Sequence, residues 1–139
     1  MQAALAKLAA EGVTAERIAD LSVSIWRDVD AALSPIIGQL GVAALFKRSL
    51  YLTRTDQPCL ASVYEGVLGP GEYAGLQTAL SEQTSATAAA ANGALLRIFH
   101  NLLSKLIGQA LTDQLLRSVL DNPALDNTSS GHAAQDTSP

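Results

Sequence analysis

The sequence predicts an all-α protein, a compact bundle of five to seven helices spanning residues 1–120. Three observations point there. Ala and Leu, both strong helix formers, occur 24 and 22 times and make up about a third of the 139 residues. β-branched residues are sparse and aromatics are only 4%, which disfavours a β-sandwich or barrel and an aromatic cofactor cage. Apolar residues recur at helical spacing in one segment after another. A chain of this length suits one domain and can bury a real core.

The elements follow in order. Residues 2–11 form a short amphipathic helix that Gly12 stops. Thr14 caps a second helix running to about Leu33. Its Ile18, Leu21, Ile25, Trp26, Val29, Ala32 and Leu33 share one arc, with Trp26 at the edge of the core. Ser34-Pro35 repeats a cap-and-first-turn signature, so 35–40 reads as one short turn and 42–54 as a longer helix. In that helix Val42, Leu45, Phe46, Ser49 and Leu52 face inward, and Lys47, Arg48, Tyr51 and Arg54 face out. A short helix over 59–65 follows, then a Gly/Pro loop at 66–71. Residues 72–82 form a helix with Tyr73, Leu76 and Leu80 inward.

The Ala-rich tract 84–93 is open to two readings, a helix or a soft linker interrupted at Asn92-Gly93. Residues 94–107 form the most apolar segment, centred on Leu95, Ile98, Phe99, Leu102 and Leu106; a stripe this broad marks the central rod of a bundle. Gly108 ends it, and Thr112 caps a last helix over 113–120, where Asp113 suits the N-terminal dipole. The polar segment 121–139 reads as a disordered tail. The helices read as unlike one another, with no internal repeat.

Several function classes drop out on bulk properties. The net charge is −4, and residues 1–120 alone hold 9 basic against 10 acidic residues, so no cationic footprint for nucleic acid exists. Cys59 is the single cysteine, which excludes an intrachain disulfide framework and a Cys-based zinc site. No uncharged apolar run approaches the ~20 residues of a bilayer crossing and no secretory signal is visible, so a cytoplasmic protein without a membrane partner is expected. No P-loop, HExxH, nucleophile elbow or hydrolytic carboxylate pair is present. Neither cofactor nor metal is expected, and a conventional enzyme is disfavoured.

His100 is the residue with chemical potential. It sits at the border between the apolar arc and a polar strip of Arg97, Asn101 and Ser104, so one ring nitrogen can reach solvent while the ring packs on one side. The run Phe99-His100-Asn101-Leu102-Leu103-Ser104-Lys105-Leu106 resembles the H-box of histidine-kinase dimerisation helices and histidine phosphotransfer domains. His100, Leu102 and Leu106 match that pattern, and Ser104 substitutes for its fourth-position hydroxyl or amide. Asn101 stands where an acidic residue is usual and Lys105 where Pro is common. The resemblance implies a phosphoacceptor role for His100, with the phosphoryl group received from a partner, since the chain has no room for an ATPase domain.

Lys47, Arg48 and Arg54 form a cationic face suited to an acidic or phosphate-bearing partner. Together with Arg97, Asn101 and Ser104 they are the candidate partner-binding residues. The expected function is a non-catalytic protein–protein interaction module of bacterial signalling, with a kinase or receiver-like protein as partner. Two alternatives stand beside it: an assembly protein acting through self-association, a homodimer included, and a small apolar-ligand sensor using Tyr51, Tyr64 or Tyr73.

Overall fold

A computed structural model describes residues 2–66 and 71–120. The loop expected at 66–71 and the tail at 121–139 fall wholly or mostly outside them, as does His132. Six helices make up the described residues: α1 (Gln2–Ala10), α2 (Ala15–Thr53), α3 (Cys59–Gly66), α4 (Ala74–Ser81), α5 (Ser85–Ile107) and α6 (Gln109–Leu120). The all-α bundle is as the composition predicts.

The second helix departs from its expected outline. It does not restart at Ser34-Pro35 but runs through them and breaks at Gly38, whose φ of 83° and ψ of 157° only glycine adopts readily. Ser34 spends its hydroxyl on the Asp30 carboxylate one turn back, donating to Oδ1 at 2.7 Å, so it caps nothing. Pro35 removes one backbone bond, to the Ala31 carbonyl. Ala31 is exposed, and water can take that acceptor. α2 therefore has a long arm, 15–37, and a return arm, 39–53. Phe46 of the return arm lies edge-on to Trp26 of the long arm, ring centroids 4.9 Å apart, so the chain doubles back at Gly38.

The same device recurs. α5 ends at Gly108, φ 94° and ψ 149°, and α6 returns along it. Thr112 is thus not a cap; it lies inside α6 with its side chain buried. Thr84 starts α5 with φ −70° and ψ 159°, its side chain accepting from Thr87 N; Thr14 starts α2 with φ −68° and ψ 157°, accepting from Arg17 N. Shifting the chain by 70 residues lays 14–50 on 84–120 without a gap, with 10 of 37 positions identical. Ser34-Pro-Ile-Ile-Gly-Gln39 meets Ser104-Lys-Leu-Ile-Gly-Gln109. Buried, half-buried and exposed positions follow the same order wherever both are described, differing only at 24/94 and 41/111. The chain therefore does contain an internal repeat.

The two halves interlock. α1 packs principally on α5 of the other half, and α4 principally on α2. Ser85 at the foot of α5 donates from Oγ to the Val13 carbonyl at the foot of α2. Midway along, Trp26 of α2 donates from Nε1 to Asn92 Oδ1 at 2.8 Å and lies edge-on to Phe99, both on α5. The two long arms therefore run side by side in the same direction, each about 35 Å long, and their glycine corners emerge at one end. The Ala tract is helix, and Asn92, fully buried, is a core hydrogen-bond partner rather than a break.

Trp26, fully buried, is at the centre of the core and not at its edge. Leu33, Leu95 and Leu103 are also fully enclosed. The buried stripe of α5 is centred on Ala88, Ala91, Leu95, Phe99 and Leu103; Leu106, expected inside, is 60% exposed. Leu52, also expected inside, is 40% exposed, because Ser49, Leu50 and Thr53 take the buried face of the return arm. Cys59 is half-buried, and desolvation pushes its thiol above the ordinary value.

Candidate functional site

The candidate site is built at the Gly108 corner. Once α6 doubles back, its fifth residue, Asp113, comes beside His100 of α5, and His100 Nε2 lies 2.8 Å from Asp113 Oδ1. The two side chains are 34% and 37% exposed, so the pair is at the edge of the bundle rather than inside it. A carboxylate on Nε2 selects the tautomer with the proton there and leaves the Nδ1 lone pair free. Nδ1 has no hydrogen-bond partner among the described residues and reaches solvent.

Two hydroxyls accompany this pair. Ser104 lies one turn after His100 on α5, and Thr112 directly precedes Asp113 on α6. Both Oγ atoms are buried without a hydrogen-bond partner among the described residues. Other buried hydroxyls of the fold do not behave this way: Ser22, Ser49 and Thr53 each donate to a carbonyl one turn back in their own helix. Ser104 makes no hydrogen bond to His100, so the three residue types of a hydrolytic triad are near one another without its connectivity.

The repeat supplies a reference for judging these residues. The first-half equivalents of His100, Ser104, Thr112 and Asp113 are Asp30, Ser34, Val42 and Ala43. Val and Ala satisfy the corner's packing at positions 42 and 43, so the fold does not need Thr or Asp there. In the first half Asp30 is consumed structurally: Ser34 Oγ and Tyr73 OH both donate to it, at 2.7 and 3.3 Å. Burial, then the Asp30 charge and hydrogen bond, push the Tyr73 phenol well above its ordinary range, against a smaller opposing effect of Arg27.

The sequence-predicted candidates divide into two groups. Arg97 and Asn101 are exposed on α5 on either side of His100, and Ser104 is half-buried. Lys47, Arg48 and Arg54 belong to the far end of α2. There Lys47 lies over the Tyr64 ring at 5.4 Å, and Arg48 and Arg54 over Tyr51 at 5.5 and 3.9 Å. These contacts border a shallow groove of about 380 Å³ lined by Ala44, Lys47, Arg48, Tyr51 and Tyr64. None of the three cations is paired with a carboxylate among the described residues. No hydrogen bond or ring contact joins this group to His100. Tyr73 is in the core against Phe46, apart from the surface pair Tyr51 and Tyr64, so the three tyrosines do not converge on one cavity.

Asp113 and Thr112 are the site residues that pattern reading missed. The 70-residue offset is the signal that finds them, since it aligns Thr112-Asp113 with Val42-Ala43. Among the described residues, no group of three His, Cys, Asp or Glu side chains could hold a metal ion. No family model, curated protein or solved structure matches this chain.

Proposed function

We propose that this protein is a helical protein–protein interaction module that presents the α5–α6 corner to a partner, with His100 as the phosphoacceptor of that contact. One observation carries the reading: the His100–Asp113 pair, part-exposed and with Nδ1 free of any hydrogen-bond partner among the described residues, occurs in one half and has no counterpart in its sister half. The acidic residue missing beside His100 in sequence, where Asn101 stands, is supplied in space by Asp113. Its carboxylate fixes the ring and stabilises the positive charge that builds as a nitrogen attacks phosphorus. Arg97 and Asn101 flank the ring on the exposed face and offer donors to phosphoryl oxygens or to an acidic partner such as a receiver-like domain.

Phosphoramidate, a small phosphoryl donor, tests this without knowledge of the partner. The His100 Nδ1 lone pair forms a bond to phosphorus, the donor's P–N bond breaks and ammonia leaves. Nε2–H stays on Asp113 throughout. Phosphorus NMR of the full chain is expected to show an acid-labile Nδ1-phosphohistidine signal that His100→Gln removes and Asp113→Asn slows, with the helical circular dichroism spectrum unchanged. His132 is the internal comparator. Equal labelling of both histidines, or a signal that survives His100→Gln, overturns the assignment.

A further inference from the structure

The far end of the first return arm gathers positive charge that the fold does not neutralise. Lys47, Arg48 and Arg54 of α2 lie over two tyrosine rings, Tyr51 of the same helix and Tyr64 of α3, and among the described residues every cation–ring contact is here. The two rings are 5.5 Å apart, tilted by 55°. Arg48 and Arg54 share the Tyr51 ring, which brings two like charges to one place at a cost. Asp56 and Glu65, the carboxylates nearest in sequence, form no ion pair with any of the three. Arg54 has a structural reason for its place: it follows the last turn of α2, where the helix dipole favours a cation, and donates from Nη1 to the Tyr51 carbonyl at 2.6 Å. Lys47 and Arg48 are exposed and hold only their ring contacts among the described residues. The sister half has Arg117 for Lys47 but Ser118 for Arg48, so the fold does not require the doubled charge.

The chemistry of the groove narrows its occupant. Its wall is Ala44, Lys47, Arg48, Tyr51 and Tyr64, with no carboxylate among them, and it is too shallow to enclose a small molecule as a ligand pocket does. Three cations on a chain of net charge −4 are too few for a nucleic-acid track. They also fall short of the clusters of about four to eight Lys and Arg that meet an anionic membrane. α2 does have the length and composition of a membrane span, contrary to expectation. It doubles back at Gly38, however, and its longer arm carries Arg17, Asp20, Arg27, Asp28 and Asp30, so neither arm makes an uncharged straight span. A protein segment fits the groove better. Tyr and Arg are the residue types that anchor protein–protein contacts, and cations laid on rings lose less freedom when a partner arrives. Charge left without a counterion is complemented by carboxylates.

We infer that the groove between the return arm of α2 and α3 is a docking surface for an acidic segment of a partner protein. The segment's carboxylates meet Lys47 and Arg48, and an apolar side chain between them lies against Ala44 and the tyrosine rings. The groove is small, so the contact is weak, with dissociation on the order of tens of micromolar. The inference stands apart from the phosphoacceptor reading, because none of these residues is in the His100 site.

Fluorescence anisotropy of the full chain with a fluorescein-labelled peptide of glutamates and leucines reads it directly. The peptide is expected to bind with a Kd in that range, and its counterpart with glutamines for glutamates about tenfold or more weakly. The double variant Lys47→Gln, Arg48→Gln weakens binding of the acidic peptide about tenfold or more. Its helical spectrum is unchanged, since both side chains are exposed. Lys7→Gln with Arg17→Gln removes the same charge from exposed positions elsewhere and leaves binding within about twofold, because salt screens distant charges. A peptide that does not bind, or that binds the groove variant as well as the wild type, overturns the inference. Equal weakening in the two double variants does so too, as it would show an effect of net charge alone. Phosphatidylglycerol vesicles that capture the full chain but not the groove variant would reassign the surface to lipid and equally overturn it.

Discussion

The two halves of the molecule use one backbone plan and differ in how they treat its polar positions. Both begin a long arm at a Thr cap, turn at a glycine with φ near 90° and fold a return arm back. In the first half the polar groups at the positions of His100 and Ser104 are absorbed into the fold: Asp30 accepts from Ser34 and Tyr73, and Val42 and Ala43 fill the seam. In the second half the equivalent positions hold His100, Ser104, Thr112 and Asp113. Two of their hydroxyls are buried without partners among the described residues, and the imidazole is part-exposed beside Asp113. The first half shows what the fold requires, so the surplus in the second is where function is to be sought. Unsatisfied buried polar atoms cost about 1–3 kcal/mol each, a cost the sister half avoids.

The largest effect tests whether the repeat is real at the level of backbone. An added Cβ at Gly38 or Gly108 meets nothing within 4 Å, so the only penalty is the backbone region that L-residues avoid. Gly38→Ala and Gly108→Ala are each expected to destabilise by about 1–3 kcal/mol, by similar amounts, with circular dichroism unchanged. Urea unfolding measures both. A corner that accepts Ala at no cost would show that its turn is not the glycine device inferred here, and the equivalence of the halves would fail.

A second effect, of opposite sign in the two halves and no larger than the first, sharpens the contrast at one position. Thr112→Val installs the residue that position 42 already carries and removes a buried hydroxyl with no partner, so it is expected to stabilise by about 1 kcal/mol. Val42→Thr imports that hydroxyl into the first half and is expected to destabilise by about 1–3 kcal/mol. If Thr112 serves the site, Thr112→Val also slows phosphoryl uptake from phosphoramidate, and stability and function move in opposite directions. A destabilised Thr112→Val would show that its hydroxyl has a structural partner and would remove it from the surplus set.

Much of this fold was legible from periodicity, while the corners and the site were less so. Composition and apolar spacing give the helices, and Gly12 and Gly108 end α1 and α5 as predicted. Ser34-Pro35 misled because its local chemistry is that of a helix start, whereas Ser34 bonds to Asp30 and Pro35 is tolerated beside an exposed carbonyl. Thr112 misled in the same way, as a cap residue inside a helix. The Ala tract 84–93 has too little side chain to declare a face; its helix is set by Trp26 and Asn92 across the interface, a contact between residues 66 apart in sequence. His100 was visible from its place on the helical wheel, but Asp113 was not. Their proximity depends on α6 doubling back, which no local pattern encodes.

The smallest effect concerns the first-half equivalent of His100. Asp30 holds the Tyr73 hydroxyl in a buried setting, and the phenol stays protonated well above its ordinary pKa of 10.0. A group that keeps its proton more tightly when folded contributes stability that is fully present below the unfolded value. That contribution is lost as pH rises past about 10 toward the folded value, because the unfolded state ionises first. The midpoint of urea unfolding is therefore expected to fall between about pH 9 and about pH 11 in the wild type. It should fall less in Tyr73→Phe, which has no phenol to ionise. Equal alkaline slopes for the two proteins would show that burial and the Asp30 contact together do not hold this proton. Asp30 would then be held by Ser34 alone, and the contrast between the two halves would lose one of its supports.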